Sequence, residues 1–214
     1  DNAVGTSDAA SQGCVTARLI ENRPTLRPAE VLEFVPGVIV TQHSGGGKAN
    51  QYFLRGFNLD HGTDFATWVA GVPVNMPTYA HGQGYTDLNF LIPELVEHIR
   101  YRKGNYKAQD GDFANAGAAD FELKNQSPEL LQLSLGQHQY QRLLVSGSTS
   151  YDSADWLNAV ELQGYAGPWQ GVDEQVKKVN LVSRYSTQQQ DSAQQLTFML
   201  YDNSWNAADQ IPQR

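Results

Sequence analysis

From Glu129 onward, apolar side chains fall at every second position, and that spacing limits the fold more than anything else in the chain. Leu131, Leu133 and Leu135 alternate with Gln132, Ser134 and Gly136. Leu143 and Val145 follow, then Val160 and Leu162 around Glu161, then Val179, Leu181 and Tyr185, then Leu196, Phe198 and Leu200. A period of two returns side chains to the same face of a strand, and a helix cannot keep it. Five such segments with no helix between them predict an antiparallel β-meander. The link near His138 is tight, Ser150 to Asp155 is a polar turn, and Gly164 to Gln175 is a longer loop carrying Trp169. One strand face is apolar and the other is rich in Gln, Asn, Ser and Thr. That pattern fits half of a soluble β-sandwich, and equally the wall of a transmembrane barrel with its apolar face to lipid. No apolar run approaches the roughly 18 residues of a membrane-spanning helix, whereas a spanning strand needs only about 9–11.

The character of the chain changes near residue 126. Asp1 to about Ala17 is small and polar and reads as a flexible lead-in. Arg27 to Val35 predicts a short helix, with Pro28 in its first turn and Pro36-Gly37 ending it. Val38 to Val40 and Gln51 to Arg55 read as strands, separated by Ser44-Gly-Gly-Gly47. Phe65 to Val74 is β-rich, turning at Gly71-Val-Pro73. Asn75 to Thr86 is a loop rich in Gly, His and Tyr. Thr86 is placed to cap a helix through Leu88, Phe90 and Leu91, restarted as Pro93 to His98. Ile99 to Lys103 and Ala118 to Lys124 complete a small mixed sheet.

Charge excludes some functions. Fifteen Lys and Arg against twenty-three Asp and Glu give a net charge of −8, the wrong sign for replacing counterions on nucleic acid. A single Cys14 allows no intrachain disulfide and no Cys-based zinc cluster. Ser44-Gly-Gly-Gly-Lys48-Ala49 lacks the far glycine of a phosphate loop and has Ala49 where the magnesium-binding hydroxyl would stand. No Gly-x-Ser-x-Gly is present, so serine catalysis finds no support. Asp60-His61-Gly62-Thr63-Asp64 has metal-binding groups at no recognised spacing and reads as a self-satisfied turn. Tyr79-Ala-His81-Gly-Gln83-Gly-Tyr85 offers rings, an imidazole and an amide on a Gly-flexed loop, a set suited to stacking on and hydrogen-bonding a ligand. Arg55 follows an apolar strand and, if buried, needs a partner; Asp60 and Glu97 are local choices.

Four segments in order, Val31-Leu-Glu-Phe-Val-Pro-Gly-Val38, Gln51-Tyr-Phe-Leu-Arg-Gly-Phe57, Gly71-Val-Pro-Val74 and Glu97 through Lys103-Gly104, resemble the plug domain of TonB-dependent outer-membrane receptors. The match runs over roughly residues 18 to 126, and the alternating strands after Glu129 are similar to the first strands of such a receptor's barrel. The sequence departs from the family pattern at Ala70, where Asp is usual, and at Asn105, where Pro is usual. His98 and Arg100 stand where Arg and Glu are common, and no TonB box is visible before Ala17.

The resemblance implies an α+β plug domain, a small mixed sheet with short helices, followed by an antiparallel β-meander that starts a transmembrane β-barrel. The expected division is 1–17 as a flexible segment, 18–126 as the plug and 127–214 as about five of some 22 barrel strands. Both ends of the chain read as trimmed. The implied function is active transport of a scarce nutrient, most often a ferric siderophore, across the outer membrane of a Gram-negative bacterium, without enzymatic activity. A TonB-type periplasmic protein, the ligand and outer-membrane lipid are the implied partners. Ligand contact is expected from His43, Lys48, Tyr79, His81, Gln83 and Tyr85, and plug–barrel ion pairing from Arg55 and Arg100, with no cofactor and no metal held by the protein. The competing reading is a soluble carbohydrate-binding module, a small α/β domain joined to a β-sandwich.

Overall fold

The computed structural model describes residues 11–42, 45–79, 82–169, 171–189 and 191–207. It divides into two compact units, Asp1–His43 with Ala49–Leu123, and Ser44–Lys48 with Lys124–Arg214.

The first unit is built on two sheets. The larger is mixed, ordered β1 (Gln12–Thr16), β7 (Val96–Lys103), β8 (Gly117–Leu123), β5 (Phe65–Val69), β6 (Val72–Pro73). All neighbours are antiparallel except β5 and β8, which run parallel. The smaller is an antiparallel set of β2 (Val38–Thr41), β3 (Gln51–Leu54) and β4 (Phe57–Asn58). One short helix, α1 (Ala17–Glu21), precedes a 3-10 segment, Pro28–Phe34, that packs on β2. Central strand β8 reads Gly-Ala-Ala-Asp-Phe-Glu-Leu, small enough to lie between two neighbours, and buries Ala118, Ala119, Phe121 and Leu123. Val31, Leu32, Val35, Leu91, Ile92, Leu95 and Ile99 add the apolar mass of the core, whose burial is the main stabilising term.

Four local expectations change. Gln12–Thr16 is no loose lead-in: it forms edge strand β1 on β7, with Val15 fully buried and each residue paired across from Arg102 to His98. Thr86 caps no helix. Its N–H donates to the His61 carbonyl, its hydroxyl meets the Thr67 hydroxyl, and the chain makes one turn, Leu91 N–H to Leu88 O. Of the expected Pro93 to His98 helix, Pro93–Leu95 forms a 3-10 turn, and β7 already begins at Val96. The hairpin between β5 and β6 turns on Ala70 and Gly71, both at positive φ (50° and 77°), the two-residue turn whose twist matches that of its strands.

The second unit is an antiparallel meander of β9 (Leu130–Leu135), β10 (Gln141–Tyr151), β11 (Ala154–Tyr165), β12 (Val176–Gln189) and β13 (Ser192–Ser204), paired in chain order. Its burial runs opposite to that of a water-facing sheet. Leu131, Leu133, Leu135, Leu196 and Phe198 are exposed, while Ser146, Glu161, Lys178, Asn180, Arg184 and Ser186 are buried. Buried Glu161 and Lys178 are paired, as buried charges must be. Glu161 receives Arg142 Nε at one oxygen, and at the other Lys178 Nζ at 3.0 Å and Asn180 Nδ2 at 2.6 Å. The segment entering β9 is pinned by side chains. Arg184 Nε donates to Asn125 Oδ1 at 3.1 Å, Gln126 Nε2 to Asp155 Oδ1 at 2.7 Å, and Ser127 and Ser148 exchange two bonds.

Candidate functional site

The loop from Asn75 to Thr86 was expected to be flexible, and its described residues form a braced hairpin. Met76 N–H donates to Tyr85 O at 2.9 Å and Gly84 N–H to Met76 O at 2.8 Å; nearer the tip, Tyr79 and Gly82 exchange bonds at 2.9 and 3.0 Å. Asn75 holds the base. Its Oδ1 accepts from Thr67 N–H at 2.7 Å, and its Nδ2 donates to the carbonyls of Gly62, Phe65 and Gly84, each at 3.0 Å. Thr63 Oγ1 donates to Gln83 O at 2.8 Å, tying the returning arm to the neighbouring turn. The hairpin is therefore a preformed surface.

Register decides which aromatic points out. Tyr79 and Tyr85 stack with ring centroids 4.1 Å apart and planes 16° apart, while His61 tilts against Tyr85 at 5.4 Å. Tyr85 is 5% exposed and Tyr79 is 43% exposed. The Tyr85 hydroxyl accepts the Ala49 N–H at 2.9 Å, and burial raises its pKa above the ordinary phenol value. Tyr85 is thus a core residue of the first unit that supports Tyr79 from behind. Tyr79 presents its outer face beside exposed Gln83, a flat apolar surface next to a donor and an acceptor.

The remaining expected residues scatter. His43 and His81 lie outside the described residues. Lys48 is half-buried in the second unit. Arg55 sits beyond β3 at φ 53° with an exposed side chain, and it makes no ion pair among the described residues. Arg100 pairs within its own sheet, across β7 and β8, with Asp120 at 3.4 Å. The Asp60–Asp64 turn is a structural corner. Buried His61 has Nδ1 3.0 Å from both the Ala49 and Asn50 carbonyls, and Asp64 accepts from Asn115 at 2.9 Å. Among the described residues no group of three His, Cys, Asp or Glu is placed to hold a metal ion. Asn75, the brace of the hairpin, was not singled out from sequence; its one signal is a polar residue straight after Val72-Pro-Val74.

A sequence model of the TonB-dependent Receptor Plug Domain matches residues 5–118. The chain belongs to that plug family. Solved structures agree on the fold. A siderophore receptor, PirA from Pseudomonas aeruginosa, is 19% identical with a TM-score of 0.64, covering 92% of this chain and 36% of its own. The copper transporter OprC is 17% identical with a TM-score of 0.71, covering 97% and 33%. The FrpB iron transporter from Neisseria meningitidis is 15% identical with a TM-score of 0.68, covering 91% and 32%. The chain thus spans about a third of the length of these structures. Plug and following strands together are one architecture in all three, a mixed-sheet domain followed by antiparallel strands. Family membership decides the first unit against a carbohydrate-binding module.

Proposed function

We propose that this chain is the plug, residues 18–126, and the opening barrel strands, residues 127–214, of a receptor importing a metal chelate of the ferric-siderophore type. Import runs across the outer membrane of a Gram-negative bacterium, and a TonB-type periplasmic protein supplies the work. Support for a metal-bearing cargo comes from the structural relatives, whose names include siderophore, copper and iron. The observation that carries the reading is the Tyr79 ring, exposed on a braced hairpin and backed by Tyr85. A planar chelate ring stacks on such a face, and the exposed Gln83 amide follows on the returning arm of the same hairpin. The inverted burial of the strand unit, apolar out and charged in, is what a lipid-embedded wall requires.

The test is binding and uptake of labelled chelates by the complete receptor. Tyr79→Ala with Gln83→Ala is expected to weaken binding by about 1–2 kcal/mol, roughly 5- to 30-fold, with the receptor still inserted and folded. Unchanged affinity in the inserted double variant would remove the hairpin from the binding site.

A further inference from the structure

The glycine run Gly45-Gly46-Gly47 has a partner of its own in the second unit. Glu174, buried in the loop between β11 and β12, directs both carboxylate oxygens inward. Its Oε2 accepts the Gly46 N–H at 2.7 Å and its Oε1 accepts the Trp169 indole N–H at 2.7 Å. Its backbone is held as well: Glu174 N–H donates to Ala166 O at 2.8 Å, and Asn206 N–H to Glu174 O at 2.7 Å. The run needs glycine for space. A Cβ at Gly46 would stand 3.0 Å from Glu174 Oε2 and from Val176, and one at Gly47 would overlap the Trp205 ring. The strand unit therefore offers a fitted seat, a carboxylate for an amide and an indole face for a bare backbone.

We propose that Glu174 is a positioning residue that latches the Gly45–Lys48 loop to the strand unit, and that uptake requires this latch to open. The reason is covalent. The chain leaves the first unit after His43 and rejoins it at Ala49, so displacing the first unit pulls directly on the seated loop. A charged acceptor makes this bond stronger than a neutral one. The loop also carries Lys48, so the latch fixes where that ammonium stands. The consequence for uptake rests on the transport reading above; the latch itself does not.

Hydrogen exchange of the complete receptor in detergent reads the Gly46 amide directly. In Glu174→Ala, exchange across residues 45–48 should speed at least tenfold. Glu174→Gln keeps one oxygen for Gly46 but turns its NH2 toward the Trp169 N–H, so exchange should also rise. Adding Trp169→Phe to Glu174→Gln removes that clash of donors and should restore part of the protection, which general loosening of the loop would not do. Equal exchange in the parent and Glu174→Ala, with the barrel folded, would overturn the latch; so would the absence of rescue. For uptake, Gly46→Cys is paired with Glu174→Cys, which removes the carboxylate that a Cβ at position 46 would meet, in a Cys14→Ser background, and oxidised with diamide. The closed disulfide should leave chelate binding intact and stop uptake, and reduction should restore it. Uptake at full rate with the disulfide closed would overturn the requirement for opening. A parent receptor that binds no chelate would sink the transport reading, while the exchange order still decides the latch.

Discussion

The two units use one alternation to opposite ends. In the first, the apolar positions of β5, β7 and β8 turn inward, so Phe65, Ile99 and Phe121 are buried. In the second, Leu131, Leu133 and Leu135 of β9 are exposed while Glu161 and Arg184 on neighbouring strands are buried. Period two fixes that a strand has two faces and says nothing about which face meets solvent. What separates the units is the chemistry of the buried face. A core of hydrocarbon needs no partners, whereas the Glu161 cluster has an acceptor or donor for every charge.

The contrast is sharpest at that cluster. Glu161→Ala would remove the buried carboxylate that Arg142, Lys178 and Asn180 share, and should destabilise the second unit by about 3–5 kcal/mol. Its mirror, Leu133→Arg on the exposed face, should be almost neutral wherever that face meets water and cost about 2–4 kcal/mol in a bilayer. Unfolding of the complete receptor in micelles and in lipid measures both. A cost near zero for Leu133→Arg in lipid would break the comparison.

Next in size is the difference between two stacked tyrosines. Tyr85→Ala removes a buried ring and the acceptor for Ala49 N–H, and should cost about 3 kcal/mol. Tyr79→Ala should stay below about 1 kcal/mol, because its ring is partly exposed already. Alkaline unfolding checks the same point. Burial raises the pKa of Tyr85, and burial raises that of Tyr52 as well. A folded phenol with a raised pKa contributes stability fully present below the unfolded value near 10 and lost as pH rises through the folded pKa. The first unit should therefore weaken above about pH 10, and Tyr85→Phe should make that fall shallower. An unchanged slope would show that Tyr85 is not shielded.

The smallest effect tests a turn. Ala70 holds a φ of 50°, a region costly for a Cβ-bearing residue without a local hydrogen bond. Ala70→Asn should stabilise the first unit by about 0.5–1 kcal/mol, read as a higher unfolding midpoint. The family's usual Asp at this position makes the same physical sense.

Much of this was legible in the sequence, and the rest failed for identifiable reasons. Strands β9 to β13 were readable because long alternating runs leave no other solution. Val38–Thr41 and Gln51–Leu54 were readable from Gly and Pro on their flanks. Strand β1 was hidden because Gln12, Gly13 and Thr16 are small or polar; what holds them is pairing to β7, far along the chain. Thr86 to Leu91 looked helical because its apolar spacing suits a helix, yet the Thr86 backbone and hydroxyl are taken by residues distant in sequence. At the hairpin, the right residues were legible and their roles were not. Tyr79 and Tyr85 are chemically identical, and only the cross-strand register of Met76 with Tyr85 tells which lies inside. The glycine run gave no sign of its seat, because Glu174 and Trp205 lie more than a hundred residues away.

The edge position of β1 bears on how the first unit reaches its fold. Its partner β7 lies near the other end of that unit, and β5 likewise waits for β8. Neither pairing rewards the chain until the long segment between is ordered, so loop-closure entropy is lost before those contacts form. High contact order predicts slow, late completion of the mixed sheet, with β1 docking only after β7 has been made and paired. On a growing polypeptide the unit stays unfinished until Leu123 is available, which leaves the edge of β7 open to any other strand in the meantime.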